Sequence, residues 1–224
     1  GLLAARGVPW REKLATAAWM QGLKTRRFRL TADQTLSAWL DAAGQTGALR
    51  RHLWEPLCLA ALNTPADRAS AQIFANVLRD SLGSPHRQDT DLLLPRTDLG
   101  ALLPEPAAAW LRTRGAELRL GHRARNIIPG AAGISVDGEA FDRVIVAVAP
   151  QHLARLLPDL APPFDFEPIA TVYLGYGPKV RLPCPLFGLS GGHGQWVVDR
   201  GDGLLAAVLS GHGAWEELAD SELV

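Results

Sequence analysis

The chain has 224 residues, of which 47% are apolar and 21% charged, and its 23 basic side chains balance 23 acidic ones. This composition excludes an intrinsically disordered chain, which would have less apolar content and a larger net charge. The zero net charge argues against a nucleic-acid-binding protein, because phosphate neutralisation requires a basic surplus. No run reaches the roughly 18 apolar residues of a membrane span, and no signal peptide is recognised.

The cysteines and the chain ends give a second set of expectations. Cys58 and Cys184 share no motif, and the six histidines show no ligand spacing, so we predict no metal site and a reducing cytoplasm. The sequence starts at Gly1, has Met20 as its sole methionine, and stops at Val224 inside an apparent helix. We therefore interpret it as a piece of a larger protein.

Helical periodicity dominates the first hundred residues. The apolar spacing predicts helices over 10–23, 31–44, 48–54, 57–62 and 67–83. The second should begin at the capping-box sequence Thr31-Ala-Asp-Gln34. The last should bury a face that carries Ile73, Phe74, Val77 and Leu78.

The remaining chain shows strand and turn signals. Strands are predicted over 91–95, 124–128, 134–136, 141–148, 169–176, 196–199 and 204–210, and helices over 104–114, over 152–157 and from 214. Asp137-Gly138 is the strongest hairpin signal. The apolar run Val144–Ala149 is typical of a strand buried on both faces of a parallel sheet. The predicted fold class is α+β, with a helical cluster followed by a mixed β-sheet.

A nucleophile pattern occurs once. Gly188-Leu-Ser-Gly-Gly192 matches G-x-S-x-G, and Asp199 and His212 follow in the order of an α/β-hydrolase. A helix must follow that serine, whereas the segment 195–198 is strand-like, so a glycine-rich hairpin loop is the favoured interpretation. No G-x-G-x-x-G follows a strand. The main phosphate-binding turn of any nucleotide cofactor would therefore lie outside this sequence.

The structural role of five tryptophans and the role of one basic stretch can each be interpreted in two ways. Spacings consistent with a helical core occur at Trp10, Trp19, Trp39, Trp54 and Trp110. Such residues form either the core itself or the wall of an apolar tunnel. The stretch 24–29 is either a solvated helix end or a contact for anionic lipid.

Seven blocks of sequence carry a family resemblance. The blocks 53–65 (LWEPLCLAALNTP), 71–80 (AQIFANVLRD) and 94–100 (LPRTDLG) resemble squalene-associated FAD-dependent desaturases, understood as hydroxysqualene dehydroxylases. The blocks 115–127, 142–150, 168–174 and 195–200 resemble the wider phytoene-desaturase and amine-oxidase-like flavoprotein superfamily. The N-terminal dinucleotide fingerprint and the C-terminal flavin segment of these proteins are missing. We therefore expect the piece alone to be inactive and not to bind FAD.

The resemblance implies a function and a domain division for the parent protein. It would be an FAD-dependent oxidoreductase that acts on a C30 isoprenoid lipid and reduces hydroxysqualene to squalene. Residues 1–100 would be a helical part of the substrate domain and 101–157 the strands and hairpin of a partial FAD domain. Residues 158–224 would be the sheet and closing helix of the substrate domain.

The resemblance also implies site residues. Four residues with small or aliphatic side chains would lie beside the FAD: Ala124, Ala147, Val148 and Ala149. The substrate cavity would include Trp54, Asn63, Pro95, Arg96 and Asp98. Arg96 is the best candidate for a functional side chain, and a structural ion pair with Asp98 or Glu105 is the open alternative. The flavin carries the hydride chemistry, so no catalytic acid or base is assigned.

Two other functions remain open. The first is a carotenoid-type desaturase or a flavin amine oxidase, although only Tyr173 and Tyr176 are available for an amine cage. The second is a non-redox module that binds apolar ligands. A lipid substrate implies a cytoplasmic protein that touches the membrane surface, through Trp10, Trp19 and the patch 26–29. An unpaired sheet edge predicts a homodimer of the piece.

Overall fold

The computed structural model describes residues 5–84, 86–91, 93–131, 133–160, 164–189 and 191–223. The chain forms two compact units. The discontinuous unit comprises Gly1–Asp91 and Glu167–Val224, and the continuous unit comprises Leu92–Phe166. The predicted domain division at residues 100 and 158 stays a prediction about the parent protein.

Both units combine helices with strands, so the α+β class is confirmed. The helices of the discontinuous unit are α1 (Trp10–Thr25), α2 (Leu36–Ala42), α3 (Glu55–Leu62) and α4 (Ala71–Asp80). Those of the continuous unit are α5 (Leu99–Leu102), α6 (Pro104–Arg112) and α7 (Pro150–Leu156). Short 3₁₀ turns occur at Arg87–Thr90, Pro158–Leu160, Ala214–Glu217 and Asp220–Glu222. The last two stand where a closing helix from 214 was predicted.

Aromatic side chains form the centre of the helical core. The ring centroids of Trp19 and Trp39 are 4.9 Å apart, and those of Trp19 and Trp54 are 5.6 Å apart. Tilted and edge-to-face pairs of this kind add to the stabilisation that burial provides. The core interpretation is thus confirmed for Trp19 and Trp39, whereas Trp54 belongs to the same core and also lines a cavity. Trp10 and Trp110, in contrast, are 64% and 55% exposed.

The start of α2 differs from the prediction. Thr35 is the N-cap, and its Oγ1 accepts a hydrogen bond from the N–H of Ala38. The predicted start at Thr31 is four residues before the observed N-cap. Asp33, inside the predicted capping box, binds residues that are distant in the chain instead of a helix start. Its carboxylate accepts hydrogen bonds from the Ser70 hydroxyl and the Gln72 N–H.

The two short helices predicted over 48–54 and 57–62 are one continuous helical stretch. A π-helical turn, Arg50–Trp54, leads directly into α3, and the N–H of Glu55 donates to the carbonyl of Arg50. Pro56 follows at the start of α3. Because proline has no N–H to donate, a wider turn before it costs little in hydrogen bonding.

The predicted buried face of α4 is partly wrong. The helix begins after Ser70, whose Oγ accepts from the N–H of Ile73, and not at Asp67. Phe74 and Leu78 are fully buried as expected, whereas Ile73 is 53% exposed. Ala71 and Ala75 occupy the inward positions instead, and their small side chains allow close packing.

The strands form two antiparallel sheets, so the prediction of a mixed sheet is wrong. The continuous unit contains β1 (Ile127–Gly130), β2 (Gly133–Val136) and β3 (Glu139–Phe141) in that order. The discontinuous unit contains β4 (Ile169–Gly175), β5 (Leu186–Gly188), β6 (Trp196–Asp199) and β7 (Leu204–Ser210), in the order β4-β7-β6-β5. The predictions for β4, β6 and β7 are confirmed, and β5 was missed.

The Asp137-Gly138 hairpin is confirmed. Both residues have positive φ, +50° and +92°, as a two-residue turn between β2 and β3 requires. Two other predicted strands do not form. Val144–Ala149 pairs with no strand of the described chain, and Ile145 is 93% exposed. Leu93, in the predicted strand 91–95, is equally exposed. A strand buried on both faces requires parallel neighbours, which the two antiparallel sheets do not provide.

Candidate functional site

A cleft of about 780 Å³ lies within the continuous unit. One side comes from the segment before β1 and the other from the segment that leads into and through α7. Ala124 lines the first side and Val148 the second, with Leu156 of α7 as a third apolar residue. Two residues that were predicted to lie beside the FAD therefore line the same cleft.

The polar lining of this cleft is entirely basic. It consists of His122, Arg123, Arg125, His152 and Arg155, and no acidic residue lines the cleft. An anionic group that enters the cleft would therefore meet the positive field of three arginines. Apolar and cationic residues together suit a ligand that has both a flat apolar part and a negative charge.

Local hydrogen bonds order both sides of the cleft. The Asp137 carboxylate accepts from the N–H groups of Arg125 and Asn126, at 3.0 and 2.8 Å. The turn between β2 and β3 thereby holds the segment that carries Ala124. On the other side Arg155 donates to Nδ1 of His152 at 3.1 Å, so the ring proton of a neutral His152 lies on Nε2.

The other two predicted cofactor residues lie beside the cleft without lining it. Ala147 and Ala149 are exposed, and Ala149 is the residue directly before α7. Since consecutive residues of an extended segment point to opposite sides, Val148 faces the cleft and its two neighbours do not.

The predicted substrate residues fall in both units. Trp54 is 1% exposed and lines a cavity of about 620 Å³ in the discontinuous unit. Asn63, in the same unit, instead uses its side chain to join chain segments. Its Nδ2 donates to the carbonyls of Glu167 and Pro168 at 3.1 and 3.3 Å.

Pro95, Arg96 and Asp98 belong to the continuous unit and are exposed. Asp98 caps α5 by accepting a hydrogen bond from the N–H of Ala101 at 2.9 Å. Arg96 forms no ion pair with Asp98 or Glu105 within the described residues. The structural alternative for this arginine is thus absent there.

The residues of the hydrolase pattern have other partners. Ser190 lies outside the described residues. The N–H groups of Leu182 and Gly201 donate to Asp199, and these hydrogen bonds lower the pKa of its carboxyl group. His212 Nδ1 lies 2.9 Å from a Glu216 oxygen. Asp199 and His212 are therefore each bound to groups other than the residues of the pattern, and Asp199 stabilises the turn that contains Gly201.

Other site types find little support among the described residues. No group of three or more His, Cys, Asp or Glu side chains there could hold a metal ion. Burial raises the pKa of the Cys58 thiol to about 11, and a thiol in that state is a poor nucleophile. None of the described helices combines the length and the apolar character that crossing a membrane requires.

Sequence reasoning missed the basic residues of the cleft. Arg123 and Arg125 flank Ala124, and a run of three basic residues in four positions, His122–Arg125, was the available signal. Arg155 could not be found in this way, because the fold of α7 brings it to the cleft.

Comparison with known proteins shows the family. A family model described as flavin containing amine oxidoreductase matches residues 2–224. The chain belongs to this family. Members contain flavin, so the family assignment agrees with the resemblance on which Ala124 and Val148 were selected.

Three curated proteins that are similar in sequence to this chain are named hydroxysqualene dehydroxylase. The protein from Sinorhizobium fredii is 35% identical over 162 residues, or 67% of this chain and 38% of its own length. That from Rhodopseudomonas palustris is 32% identical over 166 residues, or 70% and 39%. That from Zymomonas mobilis is 27% identical over 170 residues, with the same shares. The chain thus spans about two fifths of these relatives. No solved structure gives a significant match.

The cleft fits part of a flavin dinucleotide. FAD carries a diphosphate and an adenine ring, and the lining offers three arginines together with Ala124, Val148 and Leu156. Arginine suits phosphate because its planar fork donates two hydrogen bonds at once. A small side chain at position 124 lets the backbone approach a flat ring closely.

Proposed function

We propose that the parent of this chain is an FAD-dependent oxidoreductase that reduces hydroxysqualene to squalene. The observation that carries this proposal is the 27–35% identity with three proteins named hydroxysqualene dehydroxylase. The cleft supports it, because residues selected on the flavoprotein resemblance line one ordered, basic site in the continuous unit.

The overall reaction replaces a hydroxyl group by hydrogen. It consumes two electrons and two protons and releases one water molecule, and a reduced flavin supplies the hydride when bound. In this chain Ala124 and Val148 would lie beside the adenine end of the cofactor. Arg123, Arg125 and Arg155 would neutralise its phosphates.

We assign the substrate to residues 1–100 and 158–224, as a portion of the substrate domain. Arg96 is the proposed functional side chain, because it is exposed and forms no ion pair within the described residues. Trp54 is assigned to the substrate on the resemblance of its block alone, and this assignment does not extend to the other residues of the cavity that it lines. These assignments follow the resemblance of the blocks that contain them.

We further propose a cytoplasmic protein that meets the membrane surface through α1. Trp10 and Leu14 are 64% and 61% exposed and lie one helical turn apart. Trp19 packs against Trp39 instead of facing outward, so it is removed from the predicted contact. Binding to anionic vesicles that a Trp10→Ala/Leu14→Ala variant loses would support this contact.

A homodimer of the piece is also a proposal. β4 is an edge strand, and its outward residues Ile169 and Tyr173 are each 62% exposed. Such an edge can pair with a second copy. Sedimentation of the 224-residue chain tests this, and a monomer over the whole concentration range would refute it.

The first experiment is the visible spectrum of the complete parent protein, purified without added cofactor. A flavin spectrum is expected. Ala124→Trp, which fills the cleft, should lose the flavin, whereas Ala147→Trp, on the neighbouring residue outside the lining, should retain it. Equal flavin content in the two variants would refute the assignment of the cleft.

The second experiment identifies the reaction. The protein is chemically reduced under anaerobic conditions, mixed with hydroxysqualene, and the products are separated by mass. Squalene in an amount equal to the flavin oxidised is expected. A parallel incubation uses the protein with its flavin oxidised: a product that has gained a double bond would then indicate a desaturase, and turnover of amines an amine oxidase. A colourless protein that takes up no FAD would favour the non-redox binding module.

A further inference from the structure

The cavity that contains Trp54 has a chemical character that the proposed function does not explain. Its volume of about 620 Å³ is within the range of roughly 300–1,000 Å³ that is usual for small-molecule sites. Its inner wall is apolar and includes Met20 of α1 together with Leu49, Leu53 and Trp54 from the helical stretch before α3. All of these residues belong to the discontinuous unit.

The polar residues of this cavity are all basic. Arg6, Lys24 and His52 line it, and each is exposed, whereas Leu49 and Trp54 are buried. The basic side chains, with the charges of Arg6 and Lys24 among them, therefore lie on the solvent side of an apolar interior. Lys24 is also the first residue of the basic stretch 24–29, so more positive charge follows directly in the chain.

These cations are available for a ligand. Arg6 and Lys24 form no ion pair within the described part of the chain, and no acidic side chain lines the cavity. Hydroxysqualene is uncharged, so an isoprenoid alcohol gives no reason for a basic mouth. A ligand with one anionic end and a long apolar chain matches both parts of the site.

We propose that this cavity binds a long-chain amphipathic anion, with its carboxylate or phosphate head at Arg6, Lys24 and His52 and its chain against Met20 and Trp54. This inference does not depend on the proposed function. The chain is held by burial of apolar surface, and the head by charge-assisted hydrogen bonds at an exposed rim.

The test measures displacement of fluorescent parinaric acid from the complete parent protein. The competitors are palmitate, monohexadecyl phosphate and hexadecanol, which has the same chain without a charge. We expect both anions, or the one whose head the site selects, to compete at least 10-fold better than hexadecanol. That preference should shrink in high salt, because the rim is exposed to solvent.

Three variants locate the site. Lys24→Gln should weaken binding of the preferred anion about 3- to 5-fold, as expected for one exposed charge pair. Ala17→Phe, which fills the cavity from an exposed position of α1, should abolish it. Arg27→Gln is the matched control, since Arg27 belongs to the same basic stretch but does not line the cavity. Circular dichroism checks that each variant is folded.

Several results would overturn the proposal: equal affinity for palmitate and hexadecanol, equal effects of Lys24→Gln and Arg27→Gln, or binding to anionic vesicles without any binding of the monomeric amphiphiles. The flavin spectrum of the same sample is recorded separately. A colourless protein that takes up no added FAD but still binds palmitate would refute the proposed function and leave this inference standing.

Discussion

The N–H of Gly211 donates a hydrogen bond to Oδ1 of Asn63, at 3.1 Å, across 148 positions of the chain. Asn63 ends α3 in the left-handed conformation, with φ of 48°. Its Nδ2 binds the carbonyls of Glu167 and Pro168, which precede β4. One side chain therefore ties the end of a helix to both strands at the β4 edge of the sheet.

Asn63→Ala should lower the free energy of unfolding by about 1–3 kcal/mol, because it removes these hydrogen bonds and leaves the Glu167 carbonyl without this donor, while the Gly211 N–H still donates to the Pro168 carbonyl. Asn63→Gly separates this effect from the backbone conformation, since glycine tolerates positive φ. It should be less damaging than alanine by about 1 kcal/mol. Urea unfolding measures both variants. Wild-type stability in Asn63→Ala would contradict the structural role.

Gly203, in the turn between β6 and β7, should not tolerate a side chain. Its φ is +78°, and a Cβ there would lie 2.6 Å from the Tyr176 carbonyl oxygen and would also overlap that of Gly177. Gly201 has a similar φ of +87° but open space around its Cβ position. We expect Gly201→Ala to cost about 1–2 kcal/mol and Gly203→Ala clearly more. Equal thermal stability of the two variants would refute the steric argument.

Asp33 should make the protein less stable in acid. The Ser70 hydroxyl, the Gln72 N–H and the Gln34 N–H donate to its carboxylate and lower its pKa below the ordinary value of 3.8. A carboxyl group whose pKa falls on folding stabilises the protein above its unfolded pKa. This contribution is lost as the pH falls through 3.8 and the folded pKa.

Asp33→Asn should therefore flatten the decline in stability between about pH 6 and about pH 3. Denaturant unfolding at a series of pH values measures this slope. Asp67→Asn is the control, because Asp67 is exposed and accepts no hydrogen bond within the described residues. If the two variants gave the same slope, Asp33 would not be the responsible group.

The basic lining of the cleft should control flavin retention in the parent protein. Arg155→Gln removes one of three arginines from the lining, and we expect a loss of FAD affinity of about 5-fold or more from one lost charge-assisted contact. Arg143→Gln alters an exposed arginine of the same unit that does not line the cleft. Flavin absorbance after gel filtration distinguishes them, and equal retention would exclude Arg155 from binding.

Elements with local signals were predictable from sequence. Exposed and half-buried residues alternate along β4, and β7 is a nearly continuous apolar run. Asp137 and Gly138 are residue types that tolerate the positive φ values of their turn. Asp33 shows the opposite case. Its pattern marks a helix start, but the hydroxyl of Ser70, 37 positions away, decides how its carboxylate is used.

In the candidate site, too, some features follow from the local sequence and others depend on distant parts of the chain, as Val144–Ala149 and the cleft show. The apolar run is strand-like in composition, yet a strand forms only where another strand supplies hydrogen bonds, and none does so in the described chain. Ala124 and Val148 were found through the family resemblance and not through spacing. Arg155 joins them only because α7 folds back to the same cleft.

The discontinuous unit imposes an order on synthesis. A ribosome releases α1 to α4 first, then the whole of Leu92–Phe166, and only afterwards the residues beside β4 and β7 that Asn63 and Arg68 bind. Until Glu167 and Gly211 emerge, the amide of Asn63 and the Leu59 side chain lack their final neighbours. Closing so long a loop slows folding, and the waiting helical half exposes apolar surface. Chaperone demand in the cell should therefore be highest between the release of α4 and the release of Gly211.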